Sequence, residues 1–255
     1  MSLRIAIAGK GGTGKTTIAG LLCRSLVARG VKPVLAVDAD PNSCLPEKLG
    51  LRVEWTIGDL REFMRVKPEL KPASLSKSEW LNQLVNEAIV ESTGLDMLVM
   101  GRQEGPDCYC FVNHLLRDFL DRMGNQYPAV VIDNEAGLEH LSRRTDGSVE
   151  VMLVACLPTI SGARTAVRIM ELVKSLKLKI GHCFLVLNQS NGRIEPAVAA
   201  EFQCAGLETL GAIPADPQVA ECEAVGRSLA QLAADAPAAA AVDDLVMKLL
   251  ERRKA

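Results

Sequence analysis

The sequence predicts an α/β protein in which a mostly parallel sheet carries helices on both faces. Short β-branched apolar runs recur along the chain, stretches of helical periodicity separate most of them, and polar segments rich in Gly, Pro, Asp and Asn follow their carboxyl ends. Near-continuous apolar strands alternating with helices are buried on both faces, and ligands of such sheets bind beyond the strand carboxyl ends. The chain of 255 residues shows no linker composition, so residues 1–255 are expected to form a single domain with ample surface to bury.

The first run, Leu3–Ala8, leads directly into Gly9-Lys10-Gly11-Gly12-Thr13-Gly14-Lys15-Thr16-Thr17 and then an amphipathic helix. This fits the phosphate-binding pattern G-x-x-x-x-G-K-[ST] in full. Gly11, Gly12, Thr13 and Gly14 let backbone N–H groups turn inward around an anion, and the helix N-terminus adds positive dipole. Lys15 is expected to reach the β/γ oxygens of ATP, Thr16 to place its hydroxyl on Mg2+, and Thr17 to join the cradle. Gly9, Gly11 and Gly14 also satisfy G-x-G-x-x-G, with an acidic residue, Asp38, roughly 20 positions on, as a dinucleotide site requires. That alternative leaves the cation and two hydroxyls at the helix start without a use.

The second run, Pro33–Val37, ends in Asp38-Ala39-Asp40-Pro41, where carboxylates two residues apart face the same side. Leu95–Met100 follows, and then Ala129–Ile132, which ends in Asp133-Asn134-Glu135-Ala136-Gly137. An aspartate closing a strand downstream of a phosphate loop is placed to hold a Mg2+-bound water, and Gly137 gives the backbone freedom to swing. Glu150–Cys156, Cys183–Leu187 and the segment near Leu210–Ile213 complete the strands; Asn188 and Pro214-Ala215-Asp216 terminate the last two. The chain closes on an alanine-rich helix through Val242, Leu245, Val246, Leu249 and Leu250. Its final Arg252-Arg253-Lys254 reads either as complement to the helix dipole or as a basic membrane-binding tail; an apolar stripe with a sheet to cover favours the first.

A formal net charge of −2 gives no nucleic-acid footprint. No apolar run approaches the ~20 residues of a membrane span, and the N-terminus goes straight into a strand, so a cytoplasmic protein binding neither nucleic acid nor membrane is expected. Eight cysteines in such a chain are reduced thiols or metal ligands rather than disulfides. Cys23, Cys156 and Cys183 sit in apolar patterns and read as small buried hydrophobes. Cys108 and Cys110 alone form a pair, at the start of a helix with the stripe Val112, Leu115, Leu116, Phe119, Leu120 and Met123. Two thiolates are half of a tetrahedral site, which a twofold dimer completes from its mate; such soft ligation suits Zn2+ or Ni2+. His114, on the same helix face, is a candidate further ligand.

The extra lysine, Lys10, makes the loop a deviant one of the form GKGGxGKT, which resembles the MinD/ParA/nitrogenase-iron-protein class of ATPases. The resemblance implies a homodimer closing face to face over ATP, with Lys10 contacting the nucleotide of the partner subunit. It implies that Asp40 positions and deprotonates the attacking water, that Asp38 and Asp133 support Mg2+ directly or through water, and that Asn188, Pro214 and Asp216 hold the adenine. Glu104-Gly105-Pro106-x-Cys108-Tyr109-Cys110, together with Asp133 through Thr145, is similar to the CooC-type ATPases that mature nickel carbon monoxide dehydrogenase and to the related accessory protein of acetyl-CoA synthase. That similarity implies slow ATP hydrolysis driving nickel insertion into one of those two clients, with His140 contacting partner or client. An iron-protein-like reductase with a [4Fe–4S] cluster on the same thiolates, and a ParA/MinD-type positioning ATPase, are the alternatives.

Overall fold

The computed structural model describes residues 2–102, 119–120, 126–135 and 149–253. Among the described residues eight strands form one sheet: β1 (Leu3–Ala8), β2 (Val34–Ala39), β3 (Val90–Ser92), β4 (Leu95–Val99), β5 (Ala129–Asn134), β6 (Val149–Cys156), β7 (Ile180–Asn188) and β8 (Glu208–Ile213). Their order is β3-β4-β2-β5-β1-β6-β7-β8, parallel throughout except for β3 against β4. The parallel α/β class expected from the apolar runs is therefore the observed one.

Several strands are longer than their apolar runs, β2, β5 and β7 at their carboxyl ends. Asp38 lies within β2 and Asp133 and Asn134 within β5, where Asp38 pairs in register with Asp133 and Ala39 with Asn134. The ladder is a backbone property, so it continues past the last apolar side chain. The antiparallel β3 was not foreseen. Its residues are half-buried or exposed, as an edge strand permits, so it carries no apolar signature.

Helices cover both faces. Beneath one lie α1 (Lys15–Ala28), α2 (Leu45–Leu49), α7 (Pro217–Ala224) and α8 (Pro237–Arg252). On the other lie α3 (Ile57–Val66), α4 (Lys77–Glu87), α5 (Ile160–Ser175) and α6 (Pro196–Cys204). Alternate strand residues serve the two cores: Ile5, Ile7 and Val131 pack toward α1, while Ala6, Ala8 and Ile132 pack toward α5.

Val242, Leu245, Val246 and Leu249 of α8 are all buried against the sheet. At its end Arg252 lies 4.9 Å from the Phe184 ring centroid and pairs with Glu208 of β8, donating from Nη1 at 3.0 Å. The terminal helix thus spends its apolar stripe on the core. Cys23 and Cys156 are buried and Cys183 half-buried, as their apolar settings predict; burial raises all three thiols, Cys156 to about 12.

Candidate nucleotide-binding site

A cavity of about 870 Å3 opens at the carboxyl end of the sheet. One end is lined by Gly11, Gly12, Gly14, Lys15, Thr16 and Thr17, the other by Asn188, Ile213, Pro214, Ala215, Asp216 and Val219. The phosphate loop, the segments that follow β2 and β5 (Asp40, Asn42 and Glu135) and the two late strand ends, far apart in sequence, therefore meet in one place.

Two glycines shape the loop. At Gly9, with φ +154°, a Cβ would stand 2.4 Å from the Ala155 carbonyl oxygen, so any side chain would push β1 and β6 apart. Gly14, with φ +85°, caps α1 in the left-handed region, where a Cβ would sit 2.2 Å from Asn188 Nδ2. The loop is drawn together on the carbonyl of Lys10: Thr13 Oγ1 donates to it at 2.8 Å and Lys15 Nζ at 3.3 Å. Lys15 is buried, so its ammonium rests on a neutral oxygen. A phosphate would give it a far better partner.

The carboxylates behind the loop are held at high cost. Asp38 is fully buried; its Oδ2 accepts from Leu45 N at 2.9 Å and its Oδ1 from Asp40 N at 3.0 Å. Burial, helped by Asp133 and Asp40, overcomes those two bonds and pushes its pKa up to about 7. Asp133 receives the Thr16 hydroxyl, yet its buried Oδ1 has no hydrogen-bond partner among the described residues. Burial lifts its pKa to about 6 against the pull of Thr16 and Lys15. Two buried carboxylates, one with an orphaned oxygen, and an adjacent hydroxyl form an oxygen-only donor set that fits Mg2+, which binds through one or two protein oxygens and otherwise water. Asp40 lines the cavity, with Oδ1 fixed by Asn42 N at 2.8 Å and Asn42 Nδ2 at 2.9 Å.

At the far end the expected base-binding residues have additional tasks. Asn188 Nδ2 donates to the Thr13 carbonyl at 2.8 Å, tying β7 to the phosphate loop. Asp216 caps α7, accepting from Gln218 N at 2.9 Å through Oδ1, while Oδ2 accepts from Ala238 N at 2.9 Å at the start of α8. Pro214 lines the cavity beside them.

Several residues were not foreseen. Glu223 of α7 accepts on Oε1 from Thr17 Oγ1 and from Lys48 Nζ of α2, each at 2.9 Å, across the cavity mouth. Asn134 points to the opposite face from Asp133 and donates from Nδ2 to the Ile7 carbonyl at 2.9 Å, just before the loop. Contacts between residues so far apart in sequence leave no local signal.

Lys10 does not line the cavity. It lines a second one, of about 590 Å3, with Gly9, Ile160, Ser161, Arg164, Thr165, Arg168 and Ile169. Cys108, Cys110, His114, Gly137 and His140 lie outside the described residues. Among the described residues no group of three or more His, Cys, Asp or Glu is placed to hold a metal ion, and no helix is long and apolar enough to cross a membrane.

Residues 5–229 match the CobQ/CobB/MinD/ParA nucleotide binding domain. The ATP-binding protein MJ0685 of Methanocaldococcus jannaschii is 39% identical over 251 residues, covering 98% of this chain and 99% of that one. The carbon monoxide dehydrogenase accessory protein CooC of Rhodospirillum rubrum is 28% identical over 238 residues, 89% of each. Among solved structures, the septum site-determining protein MinD of Pyrococcus horikoshii, complexed with Mg-ADP, superposes with a TM-score of 0.69 at 24% identity, covering 100% of this chain and 99% of that one.

Proposed function

From the premise that this chain belongs to the CobQ/CobB/MinD/ParA family of P-loop ATP-binding proteins, we propose that it hydrolyses ATP as a homodimer to deliver Ni2+ to a nickel enzyme. The client is carbon monoxide dehydrogenase or acetyl-CoA synthase, and the cargo site is Cys108 and Cys110 of two copies. The observation that carries the dimer is the placement of Lys10. A lysine inside a phosphate-binding loop lines the neighbouring cavity instead of its own, so the anion it serves belongs to another molecule. Similarity to the CooC accessory protein supports the nickel client, and the C-x-C pair supplies thiolates suited to Ni2+ or Zn2+.

In this reading Lys15 leaves the Lys10 carbonyl for the β/γ oxygens of ATP, and the amides of Gly11 to Gly14 close around them. Thr16 with Asp133, and Asp38 behind them, would hold Mg2+ directly or through water, and the ion would supply charge neutralisation at the phosphates. Asp40 orients the attacking water and takes its proton, with its carboxylate steadied by Asn42. Lys10 of the partner subunit offsets the charge that develops on the γ-phosphate. Asn188, Pro214 and Asp216 form the wall on which the base rests. Closure over ATP brings the two cysteine pairs together, and hydrolysis releases them.

Anaerobic metal titration with mass determination tests the proposal. A four-sulfur site built from one pair per chain holds one Ni2+ or Zn2+ per dimer. Thiolate ligation needs proton loss, so affinity falls as pH drops below neutrality. Cys108→Ser and Cys110→Ser should each abolish tight binding while ATP binding persists. One tightly held ion per monomer, or full affinity in the double serine variant, would exclude the shared site.

A further inference from the structure

The cavity on the far side of the phosphate loop has a composition unlike its neighbour's. Its polar lining is Lys10, Arg164 and Arg168 with the hydroxyls of Ser161 and Thr165; no described residue lining it is acidic. The side chains of Lys10 and Arg168 are exposed, and neither has an ion-pair or hydrogen-bond partner among the described residues. Arg164 meets only Glu201, at 3.4 Å, from a side chain 63% exposed, which is a weak surface pair. Arg164 and Arg168 are four apart on α5, so like charges sit on one helix face and work against that helix. Two cations without a partner among the described residues and a third held only by a weak surface pair, gathered at local cost around a cavity, call for an anionic occupant from elsewhere.

The nucleotide cavity is the complement. Its lining carries Asp40 and Glu135, with Glu223 paired to Lys48, and a bound triphosphate adds negative charge beyond what Lys15 offsets. In an isologous dimer each surface meets the other twice, so a basic and an acidic patch beside one loop satisfy each other across a twofold axis.

We infer that the basic groove receives the nucleotide-bearing rim of a second copy of this chain, with Arg164 and Arg168 acting beside Lys10 as cations offered across the interface. The inference rests on the ATP-closed dimer proposed above and adds to it the residues of α5 that recognise the partner. Rim charges of this kind set the rate and salt dependence of association more than the chemistry of the bound nucleotide.

Sedimentation of the full chain with Mg2+ and a non-hydrolysable ATP analogue tests it, alongside a fluorescent nucleotide titration of the dilute monomer. Arg168→Glu and Arg164→Glu should each weaken analogue-induced dimerisation by roughly tenfold or more, leaving monomer affinity for nucleotide within about twofold. Arg168→Lys should dimerise like the parent, because charge rather than shape is what the groove supplies. Dimerisation of the parent should weaken between about 50 and about 300 mM salt, and less steeply in Arg168→Glu. If both glutamate variants dimerise like the parent while Lys10→Ala does not, Arg164 and Arg168 have no part in dimerisation, the inference falls and the trans-lysine dimer stands. Normal dimerisation of all three overturns the trans role of Lys10 as well. Loss of nucleotide binding by the monomeric glutamate variants makes the arginines structural and overturns the inference.

Discussion

Asp133, at the end of β5 behind the phosphate loop, and Asp216, beyond β8 and lining the cavity, are both buried aspartates, and they are treated in opposite ways. Asp216 spends both oxygens on backbone N–H groups, of Gln218 and Ala238, so its burial is compensated and it joins α7 to α8. Asp133 keeps a buried oxygen with no partner among the described residues, next to a second buried carboxylate, Asp38. Base end and phosphate end differ in the same sense. The first is finished by its own chain, whereas the second holds a buried carboxylate oxygen that no described residue completes. Satisfaction marks where a carboxylate is structural, and its absence marks where chemistry is expected.

The largest effect should come from removing the buried cation that the phosphate loop holds beside the cavity. Lys15→Ala is expected to lower ATP affinity on the order of a thousandfold, about 4 kcal/mol, because charge-assisted bonds to the phosphates disappear with nothing to replace them. Its melting temperature without nucleotide should change little, since Lys15 donates there only a long bond to the Lys10 carbonyl. Calorimetric titration and a thermal melt check both statements, and a variant that melts far below the parent would make Lys15 as structural as Asp216.

Asp216→Ala should behave the other way. It strips a helix cap from α7 and orphans two amides, for a loss of roughly 2–3 kcal/mol of folding stability. Nucleotide affinity should fall less than in Lys15→Ala, through loosening of the turn at Pro214. Denaturant unfolding in the absence of nucleotide measures it. Unchanged stability with lost ATP binding would mean that Asp216 serves the base rather than the fold and that the contrast drawn with Asp133 is wrong.

What could be read beforehand follows the same division. Gly9 through Thr17 is contiguous, so its chemistry is written in one stretch of sequence, and the strands betray themselves through continuous burial. Asp38 and Asp133 were expected beyond their strands yet lie within them, because side-chain polarity ends before backbone pairing does. The boxes Thr56-x-x-Asp59 and Ser76-x-x-Glu79 do cap α3 and α4 and were available as helix starts. Glu223 with Lys48, and Arg168 beside Lys10, join residues more than 150 positions apart, and nothing local distinguishes them from ordinary surface charge.

The smallest effect is the most diagnostic of the comparison. Asp133→Asn keeps an acceptor for the Thr16 hydroxyl and removes the buried charge, so the nucleotide-free protein should become more stable by about 1–2 kcal/mol near pH 8 while ATP hydrolysis is lost. The sign follows from the folded pKa of about 6, raised from an ordinary 3.8 by burial. Between those values the native state binds a proton that the unfolded chain has released, so the parent gains stability as pH falls through about 6 toward 4, and carries the full penalty above it. The advantage of the asparagine variant should therefore be greatest at pH 8 and shrink on acidification. Asp38, raised to about 7 in part by the Asp133 charge, should titrate lower in the variant. Melts of the nucleotide-free parent and variant at several pH values between 5 and 8 decide it. A difference in melting temperature that stays constant across that range, or an asparagine variant less stable than the parent at pH 8, would show that Asp133 is compensated after all and that the two ends of the cavity are built alike.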